Sequence, residues 1–597
     1  MDHSNHKAPV ICEIAWEVCQ QLGGIYTVLR SRAPRMVEKY GSHYCLIGPY
    51  NAATAAIEFE EAIPRGPFRR AIEDMRELGI KVHYGTWLVS GRPRVILFES
   101  DISRERLSEV KYYFWKNHNI ATPPYDDLVD RVLAFGECVS RFFEALAARS
   151  FNTRPVVAHF HEWMGGSAIP DIRHRNVDIK IVFTTHATLL GRYLATADSD
   201  FYSHMHHMNW AAQADRFNIR ARVEIERAAA HGAHIFTTVS DVTASECKAF
   251  LGRDVDMILP NGLNIERFVA YHEFQNLHIA FKEKINRFIM GYFFPKYCFD
   301  LDHTLYFFTS GRYEFRNKGF DMTIESLARL NYRLKKAGRN VTVVAFFITK
   351  QPFHSIRPEA LSSRAMLEEI RNVCTSIQNQ VGERLFLETA MGRRPSFDTL
   401  VDEYWTLRLR RDRQTWQSGG LPSPVTHDLL NPWGDELLNQ LKACQLLNRP
   451  EDPVKVIYHP DFITADNPLF AIDYDQFVRG CHLGVFPSYY EPWGYTPLEC
   501  IARGIPAITS DLSGFGSYLP GVIEDHEKRG IYLLNRRTAD YHAAADQLCD
   551  MMFKFTELDR RERISLRNAV EQTAIYFDWE KLASHYFAAY EMAVRAR

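Results

Sequence analysis

Short apolar runs rich in β-branched and aromatic residues recur along the whole sequence, and each leads into a glycine-rich or polar turn. They fall at 10–14, 44–47, 156–160, 179–184, 235–239, 306–309, 341–348, 454–458 and 484–487. Between many of them apolar residues return at helical spacing, as in Met322, Ile324, Leu327, Leu330 and Leu334. Strands that alternate with amphipathic helices build βαβ units and a parallel sheet. The units form two blocks, about 10–265 and 304–575. A chain of 597 residues also exceeds one core, because single cores stop growing near ~250–300 residues. The expected fold is α/β: two Rossmann-like, doubly wound domains facing a central cleft, where ligands meet the carboxyl ends of the strands.

One stretch departs from this alternation. Segments 362–378 and 404–416 read as helices, 429–447 carries an apolar face, and 419–424 is a Gly/Pro loop. This helical insertion has two readings, a self-association surface or an appended subdomain without a partner. No internal repeat or heptad seam is present.

Composition narrows the function. Lys and Arg number 71 against 73 Asp and Glu, a formal net charge of −2, which argues against a nucleic-acid binder or a polybasic membrane anchor. Eleven cysteines without a Cys-x-x-Cys pair point to free thiols in a reducing compartment. The first six residues lack the apolar run of a signal peptide, and no apolar stretch approaches ~18 residues. These features lead to the expectation of a soluble, cytoplasmic enzyme.

Several strand ends carry residues suited to a charged, polar ligand. Gly23 and Gly24 precede a helical run, so their backbone N–H groups are free to approach an anion. Neither the dinucleotide fingerprint nor a P-loop is present, so hydride transfer and P-loop chemistry lose ground. His159, His161 and Glu162 follow a strand directly; without a complementary ligand motif they read as a polar strand end at the cleft rather than a metal site. His186 and Arg192 emerge together at another strand end. Segment 310–319 brings Arg312, Arg316 and Lys318 into one strand-to-helix loop, the planar fork and the mobile point charge that suit a diphosphate.

The segment 486–499 is the most informative. Pro492, Gly494 and Pro497 exclude a continuous helix from Glu491, and Thr496-Pro497-Leu498-Glu499 reads as a helix start with Thr496 as N-cap. Even one continuous helix would hold Glu491 and Glu499 ~12 Å apart, since each residue rises about 1.5 Å. That is too far for a retaining hydrolase pair at ~5–5.5 Å, so the two carboxylates have different tasks.

At these residues the chain resembles the animal and fungal type of glycogen synthase. The resemblance is carried by 17–29 (EVCQQLGGIYTVL), 159–163 (HFHEW), 184–194 (TTHATLLGRYL), 238–243 with 259–264, 311–322 (GRYEFRNKGFDM) and 474–516, which together span nearly the whole chain. It implies the GT-B arrangement, with an N-terminal domain at 1–268, a C-terminal domain at 269–576 with its insertion at about 355–450, and a helix at 577–597 returning to the first domain. It implies transfer of glucose from UDP-glucose to an α-1,4-glucan with retention of configuration, with no metal and no cofactor. Arg312 and Lys318 would hold the UDP phosphates, Tyr474 the uracil and Glu499 the ribose. Thr496 would meet the distal phosphate, and His186, Arg192 and Glu491 would surround the glucose. Gly23, Gly24, Tyr490, Trp493 and Gly494 complete the implied substrate-binding set.

The family is activated by glucose-6-phosphate at an arginine-rich helix, and Gln275, His278, Lys282, His482, Arg563 and Arg567 match its sugar-phosphate positions. Arg563 and Arg567 lie four apart, on one helical face. Ala569 stands where the family has a further arginine, and Gln21 where it has a cation before the first glycine pair. The phosphorylated extensions of the family are not matched. A homotetramer built through the insertion, with 429–447 in the contact, and a glucan primer protein are further implied partners. Two alternatives stand beside this reading: a GT-B transferase using ADP-glucose or another acceptor, and a glucan-binding scaffold that has lost catalysis.

Overall fold

A computed structural model describes residues 8–150, 154–265, 271–393, 396 and 400–596. Strands β1 (Val10–Ile14), β2 (Tyr44–Pro49), β3 (Phe59–Glu61), β4 (Val82–Trp87), β5 (Arg94–Phe98), β6 (Val156–His161), β7 (Lys180–Thr185), β8 (Ile235–Thr238) and β9 (Met257–Ile258) form the first sheet. Its order is β3-β4-β5-β2-β1-β6-β7-β8-β9. The strands from β5 to β9 along that order pair in parallel, whereas β3-β4 and β4-β5 are antiparallel. Every residue of β1 and β6 is buried, which is why these strands are read as continuous apolar runs.

The second sheet is wholly parallel. It orders β14 (Val454–His459), β11 (Thr342–Ile348), β10 (Thr304–Ser310), β15 (Leu483–Phe486), β16 (Ala507–Ser510) and β17 (Ile531–Leu534) side by side. Helix Phe320–Ala337 covers one face, burying Met322, Ile324, Leu327, Leu330 and Leu334. Among the described residues no helix is long and apolar enough to cross a membrane, and all eleven cysteines are free.

The expected boundary at 268/269 lies outside the described residues. The last helix, Trp579–Arg595, packs against helix Gly24–Tyr40 and β7. Trp579, Tyr586 and Tyr590 thereby enter a core shared with Ile11, Leu29 and Met36 of the first sheet's layer.

Two expectations for the insertion need correction. It is not wholly helical: β12 (Phe353–Ile356) and β13 (His427–Leu429) pair antiparallel beside helices Pro358–Ala390 and Glu403–Trp416. The apolar face of 429–447, expected in the subunit contact, sits on a short helix: Pro432 and Gly434 interrupt the segment, and only Glu436–Ala443 is helical. Leu437, Leu438 and Leu441 are buried in the second domain's own core, so that face is not free for a subunit contact. Exposed large apolar side chains remain at Leu430 and Trp433, before that short helix, and on the two long helices at Phe386, Leu387, Tyr404 and Leu407.

Candidate active site

Three elements meet at the carboxyl ends of the two sheets. The first is the end of β7 with helix Leu189–Ala197, carrying His186 and Arg192. The second is the loop from β10 to helix Phe320–Ala337, carrying Arg312 and Lys318. The third is the loop from β15 to helix Tyr495–Ala502, carrying Glu491. Lys318 Nζ donates to Glu491 Oε2, so the cation of the second loop neutralises the carboxylate of the third. Tyr489 N and Tyr490 N both donate to Asn317 O, at 2.9 and 3.2 Å, which locks the two loops together. Gly319 makes this close approach possible: its φ is +71°, and a Cβ there would lie 2.2 Å from Pro487 O. Arg312 is largely exposed, with Glu314 at 3.1 Å.

His186 is held from below by a buried chain of polar groups. His186 Nε2 lies 3.0 Å from His161 Nδ1, and His161 Nε2 lies 3.2 Å from Glu13 Oε2. Burial alone would raise Glu13, but Arg32 and His161 overcome it and hold its carboxyl at about 2. An ionised Glu13 accepts a hydrogen bond from His161 Nε2–H, which leaves His161 Nδ1 as acceptor for His186 Nε2–H. Burial lowers both histidines, so both imidazoles are neutral. Glu162, with φ of +60°, accepts from His186 N at 2.8 Å and Ala187 N at 3.0 Å. Burial raises its carboxyl to about 7.

This corrects the placing of the 159–162 cluster. His159 and His161 are fully buried in the sheet, not at the cleft edge. Glu13, His159 and His161 have ligand atoms within 4.8 Å of one another, but those atoms are committed to hydrogen bonds. His159 meets Tyr590 OH at 2.9 Å and Thr184 Oγ1 at 2.6 Å, and the Arg32 cation pairs with Glu13.

The helix starts also differ from expectation. Helix Tyr495–Ala502 begins after Gly494 at φ +115°, so Gly494 and not Thr496 is the N-cap, and Glu499 falls in the second turn. Two N–H groups at the first turn of helix Gly24–Tyr40 are already served: Glu17 Oε2 accepts from Gly23 N at 2.8 Å and from Tyr26 N at 2.9 Å. Trp493 is buried against Phe515 and Tyr518 in a core cluster rather than in the cleft. Tyr490 is also buried, its hydroxyl turned 3.4 Å from Glu246 Oε2 in the first domain. Tyr474 heads helix Tyr474–Gly480, and its hydroxyl meets Ser310 Oγ at 2.6 Å at the end of β10. Burial raises the Tyr474 phenol well above its ordinary range, and the nearby Glu499 carboxylate adds to the rise. Burial raises Glu499 itself to about 7.

The comparisons with known proteins decide the family. The family described as Glycogen synthase matches residues 13–597. The glycogen [starch] synthase of Neurospora crassa is 44% identical over 605 residues, covering 100% of this chain and 86% of the relative. The chain belongs to the glycogen synthase family. Isoform 1 of the Saccharomyces cerevisiae glycogen [starch] synthase is 43% identical over 621 residues, covering 100% of this chain and 86% of that one. In fold, the chain is similar to the catalytic domain of starch synthase IV from Arabidopsis thaliana bound to ADP and acarbose. That likeness has a TM-score of 0.53 at 13% identity, covering 99% of this chain and 100% of the other. The architecture is GT-B, and the activity is that of a glycogen synthase, a glycosyltransferase acting on a glucan and a nucleotide sugar.

This glycogen synthase has a second polar cavity in its C-terminal domain, of about 800 Å³. Gln275, His278, Lys282, His482, Arg563 and Arg567 all line it. Helix Arg560–Ala574 starts with a full capping box, Asp559 with Glu562, that fixes where its arginines point. Arg567 donates to Gln275 Oε1 at 2.6 and 3.1 Å. His278 Nδ1 lies 2.8 Å from Arg479 O, and His482 Nδ1 accepts from Tyr306 N at 2.9 Å. Each imidazole is thus anchored through Nδ1, leaving Nε2 for the cavity. Among the described residues no carboxylate pairs with Arg563 or Arg567. Burial and the neighbouring arginines lower Arg567 to about 10 and His278 to about 3.

Sequence reasoning did not single out Glu13, Glu17, Glu246 or Ser310. Glu13 had a readable signal, an acid inside the apolar run 10–14. Glu246 and the tyrosine that meets Ser310 have partners far away in sequence, and Glu17 caps the nearby turn at Gly23 and Tyr26 without a motif that marks it.

Proposed function

We propose that this enzyme transfers glucose from UDP-glucose to the non-reducing end of an α-1,4-glucan with retention of configuration, and that glucose-6-phosphate activates it. The observation that carries the reading is the Lys318–Glu491 ion pair across the two loops that face His186 and Arg192. A carboxylate and a cation in contact suit a reaction in which the anomeric centre gains positive charge while a diphosphate leaves with negative charge. Lys318 and Arg312 offset the charge on the departing UDP, aided by the N-terminus of helix Tyr495–Ala502 with Thr496 in its first turn. Glu491, paired with Lys318, stabilises the oxocarbenium-like glucose. Tyr474 stacks on uracil and Glu499 accepts from the ribose hydroxyls. His186 and Arg192 hold the glucose hydroxyls, with the Glu13–His161 pair fixing the tautomer of His186.

In the second cavity the uncompensated Arg563 and Arg567 would take the phosphate, with Lys282, His278, His482 and Gln275 around the sugar. Self-association through the exposed faces of helices Pro358–Ala390 and Glu403–Trp416 is the reading those apolar side chains support, with a homotetramer as the expected state. Eleven free thiols accord with a cytoplasmic setting. The test is incorporation of labelled glucose into glycogen from UDP-glucose and from ADP-glucose. UDP-glucose is expected to be the donor, and Glu491→Ala to abolish transfer. Equal use of ADP-glucose would overturn the donor assignment, and transfer by Glu491→Ala would overturn the site.

A further inference from the structure

Helix Asp241–Glu246 belongs to the first domain, yet both of its ends touch the loop that carries Glu491. At its start the N-cap Ser240 donates through Oγ to Pro492 O at 3.0 Å, while the same oxygen accepts from Thr243 N at 3.2 Å. At its end Glu246 accepts from Tyr490 OH at 3.4 Å. The two contacts fall on the residues immediately before and after Glu491. Ser240 is 2% exposed and Glu246 is fully buried, so neither contact competes with water.

Glu246 does more than meet Tyr490. Its Oε2 also accepts from Thr188 Oγ1 at 2.6 Å and its Oε1 from Tyr202 OH at 2.9 Å. Thr188 is the N-cap of helix Leu189–Ala197, which carries Arg192, and it lies two residues after His186. One buried carboxylate therefore collects three hydroxyls, two from the first domain's lip and one from the second domain's reacting loop. The packing admits no slack: a Cβ at Gly191 would sit 2.2 Å from Glu246 Oε2, and one at Gly514 would sit 2.0 Å from Pro492 O. On its other side the reacting loop is fixed by Lys318 on Glu491 and by Gly514 N donating to Glu491 O at 2.9 Å.

We infer that Ser240 and Glu246 are positioning residues that form a two-point clamp across the cleft, setting Glu491 against His186 and Arg192 when the domains close. The clamp acts through Tyr490 and Pro492 and touches neither substrate. It rests on the reading of Glu491 as the carboxylate facing the anomeric carbon. Misplacement of a reacting group by an ångström costs up to about 10²-fold in rate, so loss of one contact is expected to lower turnover without weakening donor binding.

The test compares Ser240→Ala, Tyr490→Phe, Glu246→Gln and the Glu246→Gln/Tyr490→Phe double variant in the glucose-incorporation assay, with Glu491→Ala alongside. Ser240→Ala and Tyr490→Phe each remove only a hydroxyl, so they keep the question open to measurement should Glu246→Gln not fold. Both are expected to lose about tenfold in kcat with KM for UDP-glucose within about twofold of the parent. The double variant is expected to lose less than the product of the two single losses, because both substitutions act on the one Glu246–Tyr490 contact. Parent-like kcat in both hydroxyl variants, or a double variant whose loss is the product of the singles, overturns the clamp. An inactive Glu491→Ala together with those results removes the clamp and leaves the assignment of Glu491 standing; an active Glu491→Ala removes both.

Discussion

The catalytic cleft and the second cavity solve opposite electrostatic problems with similar residues. In the cleft the charges are answered from within: Lys318 sits on Glu491, and the first-turn N–H groups at Gly23 and Tyr26 are taken by Glu17. In the cavity they are left standing. Five cationic side chains line it against three carboxylates, and Arg563 and Arg567 pair with none of them. The cleft is assembled and quiet before a substrate arrives, as suits a site that must present a fixed geometry. The cavity carries buried like charge that an anion would relieve, as suits a site whose occupancy has to change the energy of the protein.

The contrast can be broken by removing one charge from each side. The largest effect is expected from Lys318→Met, which strips the cleft of its internal neutralisation and its leaving-group cation together. Transfer should fall on the order of 10²–10³-fold, read as kcat for labelled glucose incorporation. A loss below tenfold would mean that the ion pair is only structural. Next in size is Arg563→Ala/Arg567→Ala, expected to bring the activation ratio with glucose-6-phosphate down to about one, measured as rate with and without the ligand. An unchanged ratio would refute the cavity as the switch.

A smaller effect is expected on stability. Glucose-6-phosphate at about 100 times its Kd should stabilise the folded enzyme by about 2.7 kcal/mol, seen as a rise in Tm that the double arginine variant does not show. The smallest effect concerns pH. Glu499 has its proton held up to about 7 by burial, and only the ionised form accepts two ribose hydroxyls without giving one. Its ionised fraction grows as pH rises through 7, so KM for UDP-glucose should fall over that range. Glu499→Gln should flatten the profile; a profile that is unchanged in the variant would remove Glu499 from the nucleotide site.

How much of this was legible in the sequence depended on whether the signal was local. Buried parallel strands announce themselves as continuous apolar runs, so 10–14, 156–160 and 454–458 read directly as β1, β6 and β14. The antiparallel edge of β3 and β4 is not legible, because Phe59–Glu61 is short and half-polar and Val82–Trp87 mixes polar with apolar residues, and an edge needs less apolar sequence than a centre; the apolar run of Arg94–Phe98 carries a strand signal that the reading by blocks passes over. Local chemistry points to Thr496 as the helix cap, yet the chain turns two residues earlier at Gly494, where the positive φ needs glycine. Tyr490 and Trp493 belong to the substrate-binding set only by the family resemblance, which carries no information on where their rings point. Only the three-dimensional packing gives one to Glu246 and the other to the core beside Phe515. The partners that hold the site, Glu13 on His161 and Glu246 on Tyr490, join residues 148 and 244 positions apart, a separation that no local pattern encodes.

The order in which the chain is made adds one more consequence. Trp579, Tyr586 and Tyr590 fill the first domain's core, and Tyr590 hydroxyl reaches Glu13 Oε1 at 3.1 Å in β1. The domain synthesised first therefore waits for helix Trp579–Arg595 before its interior is closed. Until that helix is made, Arg32 and Glu13 lie under an open roof, and a chain cut short before Trp579 would lack the lid of its N-terminal half.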